Sequence, residues 1–395
     1  MRILYITLEN LDLQKGSVIH VKEIVAGLRK LGHQVGLIAC SRSRWKKVDH
    51  FYNLHHLSLL QRFLGLKRQP YFISSIFLFL HLLKILPGYD IIYVREYHTV
   101  TTALFPRFIF GKKLVFEVNG LANEEQKLKR HSVLNRISVF LIQRAERAAT
   151  RYSDRIICVT PQLASYLIRH FNCDSRKVEI VSNGVNIENF CPVHDKALLA
   201  GWRMKLGIAQ EERVIVFVGN LALWQGVNIL VESGIRLLSK EEKLRILIIG
   251  DGILKADLMK RVLSSGFEKK FIFTGMINCA DIPILVNLAD ICVAPFISKR
   301  NQETGVSPLK IFEYMACGKP IVSTRINGLE FIETEGVGRL IDPENVSALE
   351  GALHDLLEAP EKRINMGTRG IQVVREKYSW ESKVAEIAEI LGTLA

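Results

Sequence analysis

The stretch Gly305-Val306-Ser307-Pro308-Leu309-Lys310-Ile311-Phe312-Glu313-Tyr314-Met315-Ala316-Cys317-Gly318-Lys319-Pro320 decides how this chain is read. Small residues lead into a short helix with one carboxylate, Glu313, and a Gly-Lys-Pro stop precedes the β-type run Ile321-Val322-Ser323-Thr324. A helix N-terminus presents unpaired backbone N–H groups and the positive end of the macrodipole, so phosphate is its natural ligand. Glu313 is expected about two turns into the helix, where a carboxylate would oppose phosphate but accept hydrogen bonds from two sugar hydroxyls. A loop for pyrophosphate beside a carboxylate for a ribose diol is the chemistry of a nucleotide-sugar site.

Outward from that stretch, extended and helical segments alternate in two series. Residues 2–7 read as a buried strand, 9–17 as a polar, glycine-bearing loop, 18–31 as an amphipathic helix and 34–39 as a second strand. Apolar runs at 91–94, 113–117, 155–159 and 178–181 read as further buried strands, with helices at 132–152 and 161–169. The turn Asn183-Gly184-Val185-Asn186 and a less regular stretch, 187–200, containing Pro192, mark a linker. The second series places strands at 214–218, 244–250, 271–274, 290–295, 321–324 and 338–341, with helices at 227–238, 254–264 and 282–288. This predicts an α/β chain of two Rossmann-like domains, 1–190 and 191–378, facing a cleft lined by strand C-terminal ends. A last helix, 379–395, is expected to pack back on the first domain.

Composition supports the two-domain reading and narrows the partners. A chain of 395 residues with 48% hydrophobic and 24% charged residues is a folded globular protein larger than one ordinary core. Its seven cysteines, at 40, 158, 173, 191, 279, 292 and 317, form no C-x-x-C pair, which argues against zinc and disulfides and fits a reducing cytoplasm. The most apolar segment, 71–87, is broken by Ser74, Ser75, His81 and Lys84 and falls short of the ~20 apolar residues of a spanning helix. It reads either as a core helix on the sheet or as an interfacial segment.

Charge is concentrated in the first half. Residues 1–190 carry 28 lysines and arginines against 14 aspartates and glutamates, a net of +14, whereas 191–395 carry 25 against 26. An anionic partner is implied, nucleic acid, a phosphorylated acceptor or an anionic membrane surface, unless these are ordinary solubilising cations. Arg42, Arg44, Lys46 and Lys47 around Trp45, then Arg62, Lys67 and Arg68 around Phe63 and leucines, mix cations with apolar side chains and mark an acceptor or membrane side. Lys127, Lys129, Arg130 and Arg136 extend it. No recognition-helix or RNA-platform signature accompanies the charge, so nucleic acid is not an expected partner.

Several stretches together resemble the retaining glycosyltransferases of family 4, whose two-Rossmann-domain fold is called GT-B. They are Gly16-Ser17-Val18-Ile19-His20-Val21-Lys22-Glu23, Val181-Ser182-Asn183-Gly184-Val185-Asn186, Phe217-Val218-Gly219-Asn220-Leu221, Trp224-Gln225-Gly226-Val227, Ile248-Ile249-Gly250-Asp251-Gly252, Phe273-Thr274-Gly275 and Tyr378-Ser379-Trp380-Glu381. The resemblance covers nearly the whole chain. It implies transfer of a sugar from a nucleotide-diphosphate sugar, uridine favoured over guanosine, to a glycan or lipid-linked saccharide in cell-surface polysaccharide or lipopolysaccharide synthesis. A non-catalytic nucleotide-sugar-binding protein of the same fold is the alternative. The expected place is the cytoplasm or the inner face of its membrane. No aspartate-rich metal motif is evident, so no obligatory metal or cofactor is expected.

The resemblance also assigns roles. Glu313 matches the second glutamate of the family's E-x7-E motif, which grips the ribose, while the first falls on Gly305. Backbone N–H groups of Val306, Ser307 and Leu309, but not Pro308, are expected to meet the donor phosphate, with Lys310 adding a point charge. The family's usual arginine and lysine after the first strand of the second domain fall on Asn220 and Gln225, next to Gly219. Losing both cations weakens leaving-group stabilisation unless Lys310, Lys299 or Arg300 replaces them. Gly275, Met276 and Ile277 match the loop that meets the base. In the first domain, Gly16 and Ser17 are expected to form the loop approaching the donor phosphate. His20 matches a position near the acceptor, and Asn119, where many relatives carry histidine, can hydrogen-bond a sugar but cannot transfer a proton. Glu313, Asn119 and His20 are the catalytic candidates.

Overall fold

The computed structural model describes residues 1–13, 15–42, 45, 48–54, 71–121 and 133–394. The chain forms two compact units, Met1–Ser182 together with Trp380–Ala395, and Asn183–Ser379. All seven cysteines are free thiols.

The strands of the first unit are β1 (Arg2–Asn10), β2 (Gln34–Cys40), β3 (His50–Asn53), β4 (Ile91–Val94), β5 (Lys113–Val118), β6 (Arg155–Cys158) and β7 (Val178–Ile180). They make one sheet in the order β3-β2-β1-β4-β5-β6-β7, with every neighbour parallel. Register is set by pairs such as Ile3 with Val35 on one side and with Ile91 on the other. Helices cover both faces, so these strands read as continuous apolar runs; Ile3, Leu4, Tyr5 and Ile6 are all fully buried. The second unit repeats the scheme with β8 (Arg213–Val218), β9 (Leu244–Ile249), β10 (Phe271–Gly275), β11 (Ile291–Ala294), β12 (Ile321–Thr324) and β13 (Gly338–Ile341), in the all-parallel order β10-β9-β8-β11-β12-β13. Strand order reverses between β1 and β4 and between β8 and β11. In open parallel sheets, ligands bind outside the strand C-termini at such switch points.

The division between units differs from the expected 190/191 boundary. Asn183 donates its backbone N–H to Ser307 Oγ at 2.9 Å and its side-chain amide to the Ser307 carbonyl at 2.6 Å. Val185 donates to the Tyr378 carbonyl. Residues 183–190 therefore belong to the second unit. The stretch expected to be irregular through 200 already contains the helix Lys196–Lys205, whose N-cap Asp195 accepts from the Leu198 N–H at 2.9 Å. The helix Trp380–Gly392 packs on Gly16–Lys30 so closely that a Cβ on Gly27 would strike Val384.

The apolar segment beginning at Tyr71 forms the helix Tyr71–Ile85. Leu78 and Leu82 are buried on the sheet, while Ile76, Phe77 and Leu80 face outward. Among the described residues, no helix is long and apolar enough to cross a membrane.

Candidate functional site

In the second unit Gly219, Gln225 and Lys310 meet beyond the C-terminal end of β8, beside the switch point between β8 and β11. Gly219 follows β8 with φ of 147°, a backbone that a side chain would strain, and a Cβ there would meet Lys310 Nζ. Glycine at 219 thus leaves room for an ammonium group delivered from another element. Lys310 Nζ donates to Gln225 Oε1 at 2.7 Å and lies 4.2 Å from the Phe217 ring centroid and 5.4 Å from that of Phe296. The cation is held by one amide oxygen and two aromatic faces, with no carboxylate within ion-pair distance among the described contacts.

Glu313 lies on the same helix, Leu309–Ala316, one face-neighbour along from Lys310. The helix begins only at Leu309, after the N-cap Pro308, so Glu313 sits about one turn in and not two. Both side chains keep some open surface, yet both lie deep enough for burial to dominate their titration. Burial raises the Glu313 carboxyl to about 7, against the pull of Lys310. Burial lowers the Lys310 ammonium to about 7, against the support of Glu313. A carboxylate and an amine, each uncomfortable in its charged form, make a site that gains from a ligand bringing hydroxyl donors and negative oxygens.

The loop before this helix departs from expectation. The Val306 N–H is already donated to the Asn327 carbonyl at 3.0 Å and is not available to phosphate. Ser307 is tied to Asn183 through its hydroxyl and its carbonyl. Pro308 has no N–H. That leaves the N–H groups of Ser307, which those two bonds do not use, and of Leu309 and Lys310, which have no intrahelical acceptor in the first turn. Gly305 closes a short helix, Ser298–Thr304, at φ 65° and ψ 177°, a conformation essentially confined to glycine. A glutamate would be strained in this backbone. Lys299 and Glu303 are exposed on that helix; the Arg300 side chain lies outside the described residues.

Around the same strand ends, Asn220 is exposed, and its side-chain oxygen lies over Gly252 closely enough that a Cβ there would collide with it. Gln225 ends the turn Leu223–Gln225, and its amide nitrogen is not engaged by the Lys310 bond. Gly275 ends β10 and accepts from the Gly250 N–H at 3.1 Å; Met276 beyond it is exposed, and Ile277 packs on the core.

In the first unit, His20 and Asn119 meet on a residue that the sequence reading passed over, Glu117 of β5. His20 Nε2 forms an ion pair with Glu117 Oε1, and Asn119 donates its side-chain amide to the same oxygen at 2.6 Å. Tyr5 donates its hydroxyl to Oε2 at 3.3 Å, and Arg95 Nε stands 3.8 Å away. Burial pushes the Glu117 carboxyl up, but His20, Arg95 and Asn119 outweigh it and hold it down at about 2. The His20 ring meets Trp380 edge-on at 5.2 Å. The available signal was a lone carboxylate within the apolar strand Lys113–Val118, since a buried charge must be paired.

Gly16 and Ser17 are the first two residues of the helix Gly16–Lys30, not a loop before it; the Ser17 carbonyl accepts from Arg95 at 2.9 Å. Arg42 is exposed, and its backbone N–H is donated to Asp12 at 2.7 Å. Arg44, Lys46, Lys47, Arg62, Lys67, Arg68, Lys127, Lys129 and Arg130 lie outside the described residues, as does the Arg136 side chain.

Comparison with known proteins agrees with this architecture in both units. The family model "Glycosyltransferase Family 4" matches residues 15–189, and "Glycosyl transferases group 1" matches 201–373. A D-inositol 3-phosphate glycosyltransferase of Corynebacterium glutamicum is 28% identical over 231 residues, which cover 57% of this chain and 53%, about half, of that relative. An uncharacterized glycosyltransferase of Methanocaldococcus jannaschii, MJ1607, is 23% identical over 390 residues, covering 95% of this chain and 93% of its own. Among solved structures, Anabaena HepE in complex with UDP superposes with a TM-score of 0.76 at 18% identity, covering 100% of both chains, and the same protein matches in complex with UDP-glucose. The likeness establishes the GT-B fold.

Proposed function

The chain belongs to the family 4, group 1 glycosyltransferases, and from that premise we propose that it moves a sugar from a nucleotide-diphosphate sugar to a glycan or lipid-linked saccharide, with retention at the anomeric carbon. The observation that carries this reading is the placement of Lys310, Gln225 and Glu313 at one strand-end switch point. In it, Glu313 accepts hydrogen bonds from the two ribose hydroxyls. The Lys310 ammonium and the Ser307, Leu309 and Lys310 N–H groups take the diphosphate, and the free amide nitrogen of Gln225 adds a donor. A uridine donor is favoured by the likeness to a protein solved with UDP and UDP-glucose.

Chemically, the acceptor oxygen bonds to the anomeric carbon as the bond from that carbon to the β-phosphate oxygen breaks. The departing diphosphate keeps the electron pair and takes the acceptor proton on the face it leaves, so configuration is retained. The protein positions two substrates and stabilises developing negative charge, and no metal ion is required of it. Asn119 and His20, both anchored on Glu117, serve the sugar side by hydrogen bonding.

The departures at 305, 220 and 225 favour a second reading, a binding protein without turnover. Donor hydrolysis or transfer assayed with UDP-glucose separates the two. The transferase reading expects turnover that is lost in Glu313→Ala, and thermal stabilisation by UDP over other nucleoside diphosphates. Stabilisation without turnover under any acceptor would favour the binding protein. No stabilisation by any nucleoside diphosphate would overturn both.

A further inference from the structure

Three helices of the first unit, Tyr71–Ile85, Tyr97–Ile109 and Val133–Tyr152, lie side by side over one face of its sheet. Their inner residues, among them Leu78, Leu82, Val100, Ala103 and Ala149, bury against the strand residues Leu4, Ile6, Ile92, Val94 and Leu114. Their outer side is unusual. Phe77, Leu80, Phe105, Phe108, Phe140 and Leu141 are each between 49% and 61% exposed. Phe79 and Phe105 stack at 5.9 Å, which joins the first helix to the second as one apolar surface. Water-soluble surfaces rarely leave so many large apolar side chains together unless something covers them.

The charge on this face identifies the cover. The three helices contain one acidic residue, Glu146, and it is buried. Lys84, Arg144, Arg147 and Arg151 are exposed. The Arg144 guanidinium lies 4.9 Å over the Phe140 ring, which places a cation directly on the apolar surface; Arg107, 4.9 Å over the Phe108 ring, is largely buried and paired with Asp154 at 3.1 Å. A second copy of the chain is a poor match, because like-charged faces repel and neither would bring a carboxylate. A layer with anionic headgroups above an apolar interior matches both features: aromatics and leucines enter the headgroup boundary while arginines and lysine pair with phosphate.

We propose that this three-helix face is a membrane-docking surface for an anionic phospholipid bilayer. The face is made by residues distinct from those of the donor site, and the proposal does not rest on the transferase reading.

Flotation of the full chain with vesicles tests it. Vesicles of phosphatidylcholine with 30% phosphatidylglycerol are expected to carry the protein, and pure phosphatidylcholine vesicles to carry at least tenfold less. Raising salt from 50 mM to 500 mM should release most of it, because exposed charges are screened. Phe105→Ser with Phe108→Ser, and separately Arg144→Glu with Arg147→Glu, should each lower partitioning about tenfold while the far-ultraviolet circular dichroism spectrum and cooperative melt in lipid-free buffer are retained. That melt reports that the variants are folded; if one is not, the salt titration of the unaltered chain decides. Three results would overturn the proposal: no flotation with anionic vesicles at low salt, flotation indifferent to lipid charge, or a dimer in lipid-free solution that the phenylalanine variant converts to monomer.

Discussion

Lys310 Nζ lies 2.7 Å from Gln225 Oε1, so the helix after the phosphate loop delivers a cation beside the position where the family resemblance leads one to expect a lysine. Gly219 supplies the space for that ammonium, since a Cβ there would meet Lys310 Nζ. Lys310→Met is therefore expected to lower kcat with UDP-glucose about a hundredfold, the scale of losing one charged stabiliser in a preorganised site. Adding Gln225→Lys in that background should restore at least tenfold, because a lysine at 225 would return the charge to the same place. Steady-state kinetics of the single and double variants check this. An equal loss in both would mean that Lys310 acts other than through its charge at that location.

Lys310 and Glu313 also set a pH dependence. Lys310 must be protonated to hold phosphate, and burial brings it down to about 7, so donor binding weakens as pH rises above 7. Glu313 must be ionised to accept from the ribose diol, and burial brings it up to about 7, so binding weakens as pH falls below 7. The kcat/KM for UDP-glucose, whose phosphate diesters do not titrate here, should be bell-shaped with its maximum near 7. It should fall about threefold one unit to either side. Glu313→Gln should flatten the acid limb and Lys310→Met the alkaline limb. A profile that stays level from pH 6 to 8 in the unaltered chain would contradict the coupling.

The fold was legible where local pattern and burial agree. The runs Ile91–Val94 and Ile321–Thr324 are short, apolar and β-branched, and they appear as strands with the expected bounds. The helix Val227–Leu238 matches its periodic pattern equally well. Features set by distant contacts were not legible. The unit boundary is moved by Asn183 bonding to Ser307, 124 residues away. The start of the helix at Gly16 escaped because Lys15 gives it no side-chain cap, so nothing local marks its first turn. The loss of the Val306 N–H to Asn327 is another long-range event. The direction of Lys310 is decided by the aromatic faces of Phe217 and Phe296, which belong to two different strand ends.

Glu117 gives a stability prediction for the first unit. Its folded carboxyl is held at about 2, below the ordinary 4.5, so its pairing stabilises the fold fully above pH 4.5 and is lost as pH falls toward 2. The shift corresponds to about 3 kcal/mol. Glu117→Gln should lower the melting temperature at pH 7 and remove this carboxylate's share of the acid sensitivity between pH 4.5 and 2, leaving that of other lowered carboxylates such as Asp49 and Asp90, read by circular dichroism melts across that range. Because His20 loses its partner, donor hydrolysis at pH 7 should fall as well, whereas UDP-induced stabilisation should persist. Acid sensitivity as steep in the variant as in the parent would show that the carboxylate is not what acid protonates.

Gly305 tests whether the family's missing glutamate can simply be restored. Its φ of 65° with ψ of 177° belongs to a region that side chains other than glycine's occupy only at a cost of about 1–3 kcal/mol. Its neighbours hold that backbone: the helix Ser298–Thr304 ends there, and the next N–H, that of Val306, is fixed to the Asn327 carbonyl. A glutamate introduced at 305 would strain the loop at the start of the Leu309–Ala316 helix and disturb the placement of Lys310 and Glu313. Gly305→Glu is therefore expected to lower the melting temperature by several degrees, with Gly305→Ala lowering it by a similar amount, and to reduce turnover of UDP-glucose. Calorimetry and donor hydrolysis on both variants check this. If Gly305→Glu raised turnover while Gly305→Ala lowered stability, the loop would have to adopt a second backbone conformation that admits a carboxylate.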